Sequence, residues 1–81
     1  MEKMEIIVPK LYEDLETAIL VEWFKKEKDH IKVGDAIFSL ETDKAVFDIE
    51  SENEGYLDKI LVGGNSKVRV MDVVGLISTQ H

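Results

Sequence analysis

Sliding the sequence against itself by 37 residues lays its first half on its second, and this internal repeat constrains the fold more than any other feature. Leu20 falls on Leu57, Trp23 on Ile60, Phe24 on Leu61, Ile31 on Val68, Val33 on Val70, Ile37 on Val74 and Leu40 on Ile77. Polar pairs follow in step: Lys32 with Arg69, Asp35 with Asp72 and Thr42 with Thr79. Apolar positions meet apolar positions without a gap. Two copies of one strand-loop-strand unit predict a pseudo-two-fold sandwich in which each half supplies one sheet face to a shared core. The repeat breaks at Phe38 on Gly75, Val21 on Asp58 and Gly34 on Met71, so the core need not be symmetric. Lys44 falls on His81, which predicts the turn around Lys44 at one end of the molecule and the termini at the other.

The units themselves read as strands. Short apolar stretches recur at Ile6 to Val8, Ala18 to Phe24, Ala36 to Leu40, Ala45 to Ile49, Gly55 to Val62 and Val73 to Ile77. They are rich in β-branched and aromatic residues, and Val46-Phe47-Asp48-Ile49-Glu50 alternates apolar with polar, the period of a half-buried strand. Gly34-Asp35, Glu54-Gly55, Gly63-Gly64-Asn65 and the single Pro9 punctuate them as turns. Glu22 to Lys28 holds good helix formers but no apolar stripe at helical spacing, and reads as a loop leaving a strand. The predicted class is all-β: a flattened barrel or sandwich of two small antiparallel sheets.

Size and charge exclude several functions. Eighty-one residues predict one domain over 1–81, with its core at about 4–78, and a chain of this length buries only about 60% of its unfolded surface. That leaves no room for a substrate pocket of enzymatic size. There are no cysteines, and His30 and His81 are too few and too scattered for a metal site. Ten basic against seventeen acidic side chains give a net charge of −7, which argues against nucleic acid and against an anionic membrane surface. No apolar run approaches the roughly 20 residues that span a bilayer, and the start is too short and too acidic for a signal peptide. The expected location is the cytoplasm, with the domain beginning at or near Met1, monomeric, and either self-contained or part of a longer chain. The acidity serves solubility or complements a basic partner.

Between the strands ending at Leu40 and starting at Ala45 lies Glu41-Thr42-Asp43-Lys44, room for only a tight turn centred on Asp43 and Lys44. Asp at a turn can hydrogen-bond nearby backbone amides. A lysine at the tip is expected to find no neighbouring apolar surface for its methylenes, so that its amine stands alone in solvent within reach of a modifying enzyme. Charged residues at turns are common, and position alone does not distinguish such a lysine from an incidental one.

The stretch Ile37-Phe38-Ser39-Leu40-Glu41-Thr42-Asp43-Lys44-Ala45-Val46-Phe47-Asp48-Ile49-Glu50-Ser51 resembles the E-T-D-K-A segment of lipoyl domains from the acyltransferase component of 2-oxoacid dehydrogenase complexes. The resemblance runs from Val8-Pro9 through Trp23, Val33-Gly34-Asp35 and Glu54-Gly55 to Val73–Ile77. The chain departs from that family where glycines are usual: Tyr12 in the first loop, Lys28 before Asp29, and Met71 in the second copy. Each concerns a turn backbone, where a non-glycine residue at positive φ is strained.

The resemblance implies that Lys44 receives lipoic acid from a lipoate-attaching ligase, with Asp43 and Ala45 presenting it and Asp43 also shaping the turn. It further implies a swinging arm that is reductively acylated at a thiamine-dependent 2-oxoacid decarboxylase. The arm would then deliver the acyl group at an acyltransferase core and be reoxidised by a dihydrolipoyl dehydrogenase. The domain itself would catalyse nothing: an exposed lysine has a pKa near 10.4, and no neighbouring base activates it. Its contribution would be effective concentration. Glu41, Asp48, Glu50, Glu52 and Glu54 cluster in sequence around the hairpin, either as an acidic collar read by the decarboxylase or as solvated strand edges. Trp23 is expected in the core. Two other functions fit parts of the pattern: a biotin carrier, whose lysine is usually flanked by Met on both sides, and an unmodified acidic interaction module.

Overall fold

A computed structural model of the chain describes residues 2–79; His81, the repeat counterpart of Lys44, lies outside them. Eight strands follow in order: β1 Glu2–Ile7, β2 Thr17–Trp23, β3 His30–Ile31, β4 Ala36–Glu41, β5 Val46–Glu50, β6 Gly55–Ile60, β7 Ser66–Arg69 and β8 Val73–Thr79. They form two antiparallel four-stranded sheets, ordered β1-β8-β6-β3 and β5-β4-β2-β7. No helix occurs among the described residues; of the segment Glu22 to Lys28, read as a loop, Glu22 and Trp23 still belong to β2, and the loop begins at Phe24.

The repeat is written into the register. Shifting β2, β3 and β4 by 37 residues gives β6, β7 and β8, and this turns one sheet order into the other, with β1 standing where β5 stands. Bulges repeat with the strands. In the β2–β4 pair the register slips between Leu20 and Glu22, and in the β6–β8 pair it slips between Leu57 and Lys59, the same positions 37 residues on. A bulge consumes one unpaired residue and sharpens the strand's twist, so matched bulges give both sheets the same coil. Backbone bonds at the turns are duplicated too. The Phe24 N–H donates to Ile37 O at 2.8 Å and the Leu61 N–H to Val74 O at 2.9 Å.

One prediction needs correction. The halves do not supply one sheet each: β3, from the first copy, pairs with β6, while β7, from the second, pairs with β2. Each short strand crosses into the other copy's sheet, at matched registers (Ile31↔Gly55 and Val68↔Ala18). Neither β3 nor β7 was anticipated from the sequence. Each is two to four residues long, too short to show alternation.

Core composition follows from the repeat. Leu20 with Leu57, Ile31 with Val68, Ile37 with Val74, and Leu40 with Ile77 are all buried between the sheets, joined by Val8, Ala18 and Phe38. The asymmetric position is Phe38 against Gly75. Trp23 packs its ring 5.1 Å from that of Phe38 and donates its indole N–H to Val62 O at 2.7 Å. A Cβ on Gly75 would meet Cη2 of the same indole at 2.9 Å. Glycine at 75 makes room for tryptophan at 23, which has the structural role expected of it.

Left-handed backbone is duplicated as well. Lys28 (φ 79°) and Asn65 (φ 60°) are repeat equivalents, and so are Gly34 (φ 91°) and Met71 (φ 77°). Two of the three positions where the chain lacks an expected glycine are therefore in the left-handed region. The third is not: Tyr12 is absent from the positive-φ residues, and its loop carries no such strain.

Candidate functional site

The β4–β5 hairpin closes as its spacing predicts. Glu41 pairs with Val46, and the Thr42 N–H donates to Ala45 O at 2.9 Å, leaving Asp43 and Lys44 at the centre of the turn. Neither central residue has positive φ, so this is not one of the primed turns that usually join two strands by two residues. Thr42 takes over the missing geometry. Its Oγ1 accepts the N–H groups of Lys44 and Ala45, each at 3.1 Å, and donates to Ala45 O at 3.0 Å. A threonine hydroxyl can close a turn in this way.

Asp43 does not hold the turn amides. Its Oδ1 accepts the hydroxyl of Tyr12 at 2.7 Å, a bond from the β1–β2 loop to the tip. Turn shaping therefore belongs to Thr42. The signal was present in the sequence, since a threonine two residues before Lys44 is well placed for it, but the adjacent aspartate offered the same chemistry.

Lys44 itself is more than half exposed, at 56% of its side chain, yet its amine does not stand alone. Nζ lies 4.3 Å from the centroid of the Tyr12 ring and 3.4 Å from Oδ1 of Asp14. The expectation of an isolated amine missed this because it considered only the hairpin. The partners come from residue 12, one of the positions where the sequence departs from its glycine pattern, and from residue 14. Tyr12 is steadied by Phe47 of β5, their ring centroids 6.4 Å apart. Its phenol pKa is drawn down by the Thr42 hydroxyl and by the Lys44 charge. Partial desolvation and the Asp43 carboxylate outweigh both and leave it above the ordinary tyrosine value.

From the tip, a shallow groove of about 560 Å³ runs between the Tyr12 loop and β2, with Ile19, Glu41 and Lys67 among its lining residues. The tip and the Glu2–Thr79 pair are separated by the length of β1, which carries the chain from that pair to Val8 and on into the Tyr12 loop. No cluster of metal-ligating residues occurs among the described residues.

The five other acidic residues form no collar around Lys44. All are exposed, but Asp48 pairs opposite Ser39 and Glu50 opposite Ala36, progressively farther down the hairpin from the tip. Glu54 lies beside His30, 3.2 Å from its Nε2, in the other sheet. Only Glu41 borders the turn. The carboxylates gathered at Lys44 are its neighbour Asp43 and Asp14 of the β1–β2 loop, and sequence proximity could not show the second.

Comparison with known proteins agrees with this geometry. The family model described as "Biotin-requiring enzyme" matches residues 4–77. The chain is 47% identical over 72 residues to the mitochondrial dihydrolipoyllysine-residue acetyltransferase component of pyruvate dehydrogenase complex of Dictyostelium discoideum, covering 86% of this chain and 11% of that protein. It is 36% identical over 78 residues to the corresponding component of Rickettsia typhi, covering 95% of this chain and 19% of that protein. It thus spans less than a fifth of the length of these relatives. The solution structure of the lipoyl domain of the 2-oxoglutarate dehydrogenase complex from Azotobacter vinelandii matches with a TM-score of 0.78 at 23% identity, over 96% of this chain and 99% of that one. Repeat, register and hairpin together meet the family match: the chain belongs to the biotinyl/lipoyl family of the biotin-requiring enzymes and has the fold of a lipoyl domain.

Proposed function

We propose that Lys44 is the attachment point of lipoic acid and that residues 1–81 act as a carrier domain of a dihydrolipoamide acyltransferase. The observation that carries this reading is the placement of Lys44. It stands at the centre of a two-residue turn, its side chain 56% exposed, on a hairpin fixed by hydrogen bonds that do not involve its amine. The site fits the group, because acylating Nζ disturbs no core packing and leaves the turn's backbone bonds in place. Similarity to acetyltransferase components named for their dihydrolipoyllysine residue supports lipoate over biotin, and Asp43 and Ala45 in place of flanking methionines agree.

When attached, the lipoyl group supplies a disulfide that takes up acyl groups and electrons. The chain's own residues do simpler things. Thr42 fixes the turn, Asp43 and Ala45 flank the lysine for a ligase, and the paired sheets hold the tip a strand's length from residues 2 and 79. On this reading the domain is the substrate of the ligase and catalyses nothing itself. Partners on this reading are the ligase, a thiamine-dependent 2-oxoacid decarboxylase, the acyltransferase core and a dihydrolipoyl dehydrogenase, each visited by a tethered arm at high effective concentration.

Intact-mass measurement after expression with lipoate and a ligase tests it. A lipoyl adduct that disappears in Lys44→Ala is expected. A biotinyl adduct would replace this reading with a biotin carrier, and no adduct under any condition would overturn both.

A further inference from the structure

Three contacts tie the β1–β2 loop to the hairpin tip. The Tyr12 hydroxyl donates to Asp43, while the Tyr12 ring face and the Asp14 carboxylate both take up the Lys44 ammonium. An aromatic face attracts a cation through its quadrupole, and a carboxylate does so through its charge. Both attractions need the positive charge on Nζ. The Tyr12–Asp43 bond does not.

Resting on the reading of Lys44 as the acylated residue, we propose that Tyr12 and Asp14 form an intramolecular ammonium site that holds the loop closed on unmodified Lys44 and releases it when the amine is acylated. In that step the acyl carbon of the activated carboxylate bonds to Nζ as its leaving group departs with the bonding electron pair. The ammonium sheds two protons to solvent, and a neutral amide N–H remains. The ring face and Asp14 then lose the charge they hold, leaving one of the three ties. The loop, and not only the arm, thereby reports whether the domain is loaded, giving a partner a surface by which to tell the two forms apart.

Leu15 provides the reporter, because its buried N–H donates to Tyr12 O at 3.1 Å across the loop. Hydrogen exchange is measured on the unmodified domain, Lys44→Gln, Lys44→Arg and the lipoylated domain. Exchange at Leu15 is expected to be about three- to tenfold faster in Lys44→Gln and in the lipoylated domain, the scale of one exposed cation–π contact and one exposed ion pair. Lys44→Arg, which keeps the charge, stays near the unmodified rate. The Leu57 amide, bonded to Asp29 O at 2.9 Å, reports any global loss of stability and is expected to be unchanged. An unchanged Leu15 rate in Lys44→Gln overturns the ammonium site. A faster rate in Lys44→Gln but not after lipoylation overturns the release. If no lipoyl adduct forms, the carrier reading fails by mass, while the Lys44→Gln comparison still decides whether the site exists.

Discussion

The indole of Trp23 occupies the space that a side chain at residue 75 would need, its Cη2 standing 2.9 Å from where a Cβ on Gly75 would lie. The Lys59 carbonyl oxygen closes the same space from the backbone side, also at 2.9 Å. Gly75→Ala is expected to cost about 1–3 kcal/mol, the usual penalty of overpacking. Trp23→Ala is expected to cost about 3 kcal/mol through lost packing on Phe38. Because the two side chains compete for one volume, the double variant should be less destabilised than the sum, which urea denaturation of the four proteins in a mutant cycle would show.

Lys28 and Met71 are exposed residues in left-handed backbone. Replacing either with glycine removes steric strain worth about 1 kcal/mol or more and adds back part of it as unfolded-chain entropy. Lys28→Gly and Met71→Gly are each expected to stabilise by about 0.5–1 kcal/mol, raising Tm by a few degrees in a domain of this size. Asn65, the remaining non-glycine at positive φ, tolerates that region and should gain less.

Thr42 bears the turn under Lys44. Thr42→Ala removes the acceptor for two backbone amides and is expected to cost about 1 kcal/mol, with Thr42→Ser restoring most of it. If the turn's shape is what a ligase meets, the rate of lipoyl adduct formation followed by mass should fall in the alanine variant and recover in the serine variant.

Acid stability should depend on Asp35. The Lys32 backbone N–H donates to its carboxylate at 2.9 Å and holds its pKa below the ordinary value of 3.8, with the nearby Lys25 ammonium adding to the effect. A lowered folded-state pKa gives stability that is present above the unfolded value and lost as pH falls through the folded one. Asp35→Asn should therefore flatten the loss of stability below about pH 4, as thermal melts across that range would reveal.

Tyr12 has the opposite sign. Its raised pKa contributes stability that is fully present below 10.0 and lost as pH rises through the folded value. The Lys44 charge pulls that pKa down, so lipoylation is expected to raise it further. Ultraviolet titration of the phenol in the unmodified and lipoylated domains measures the difference, with Tyr12→Phe identifying the signal. A pKa that falls on lipoylation would contradict the geometry of the tip.

Much of this architecture was legible in the sequence because a repeat doubles every signal. Leu20 and Leu57 each make a weak case for a buried strand, and their registration makes a strong one. Lys44 could be placed at a turn from the strands on either side. The crossing of β3 and β7 was not legible, since it depends on pairing between residues such as Ile31 and Gly55 whose local sequence favours no partner. Tyr12 and Asp14 were missed for the same reason. They reach Lys44 from 32 and 30 positions away, through a loop whose path is set by β1.

The exchange of short strands between the two copies bears on how the domain withstands stress. Because each copy contributes the outer strand of the other's sheet, neither can be peeled away while its twin stays folded. A tug on the hairpin tip would be shared by both sheets at once, so the domain should yield as one clasped unit and not half by half.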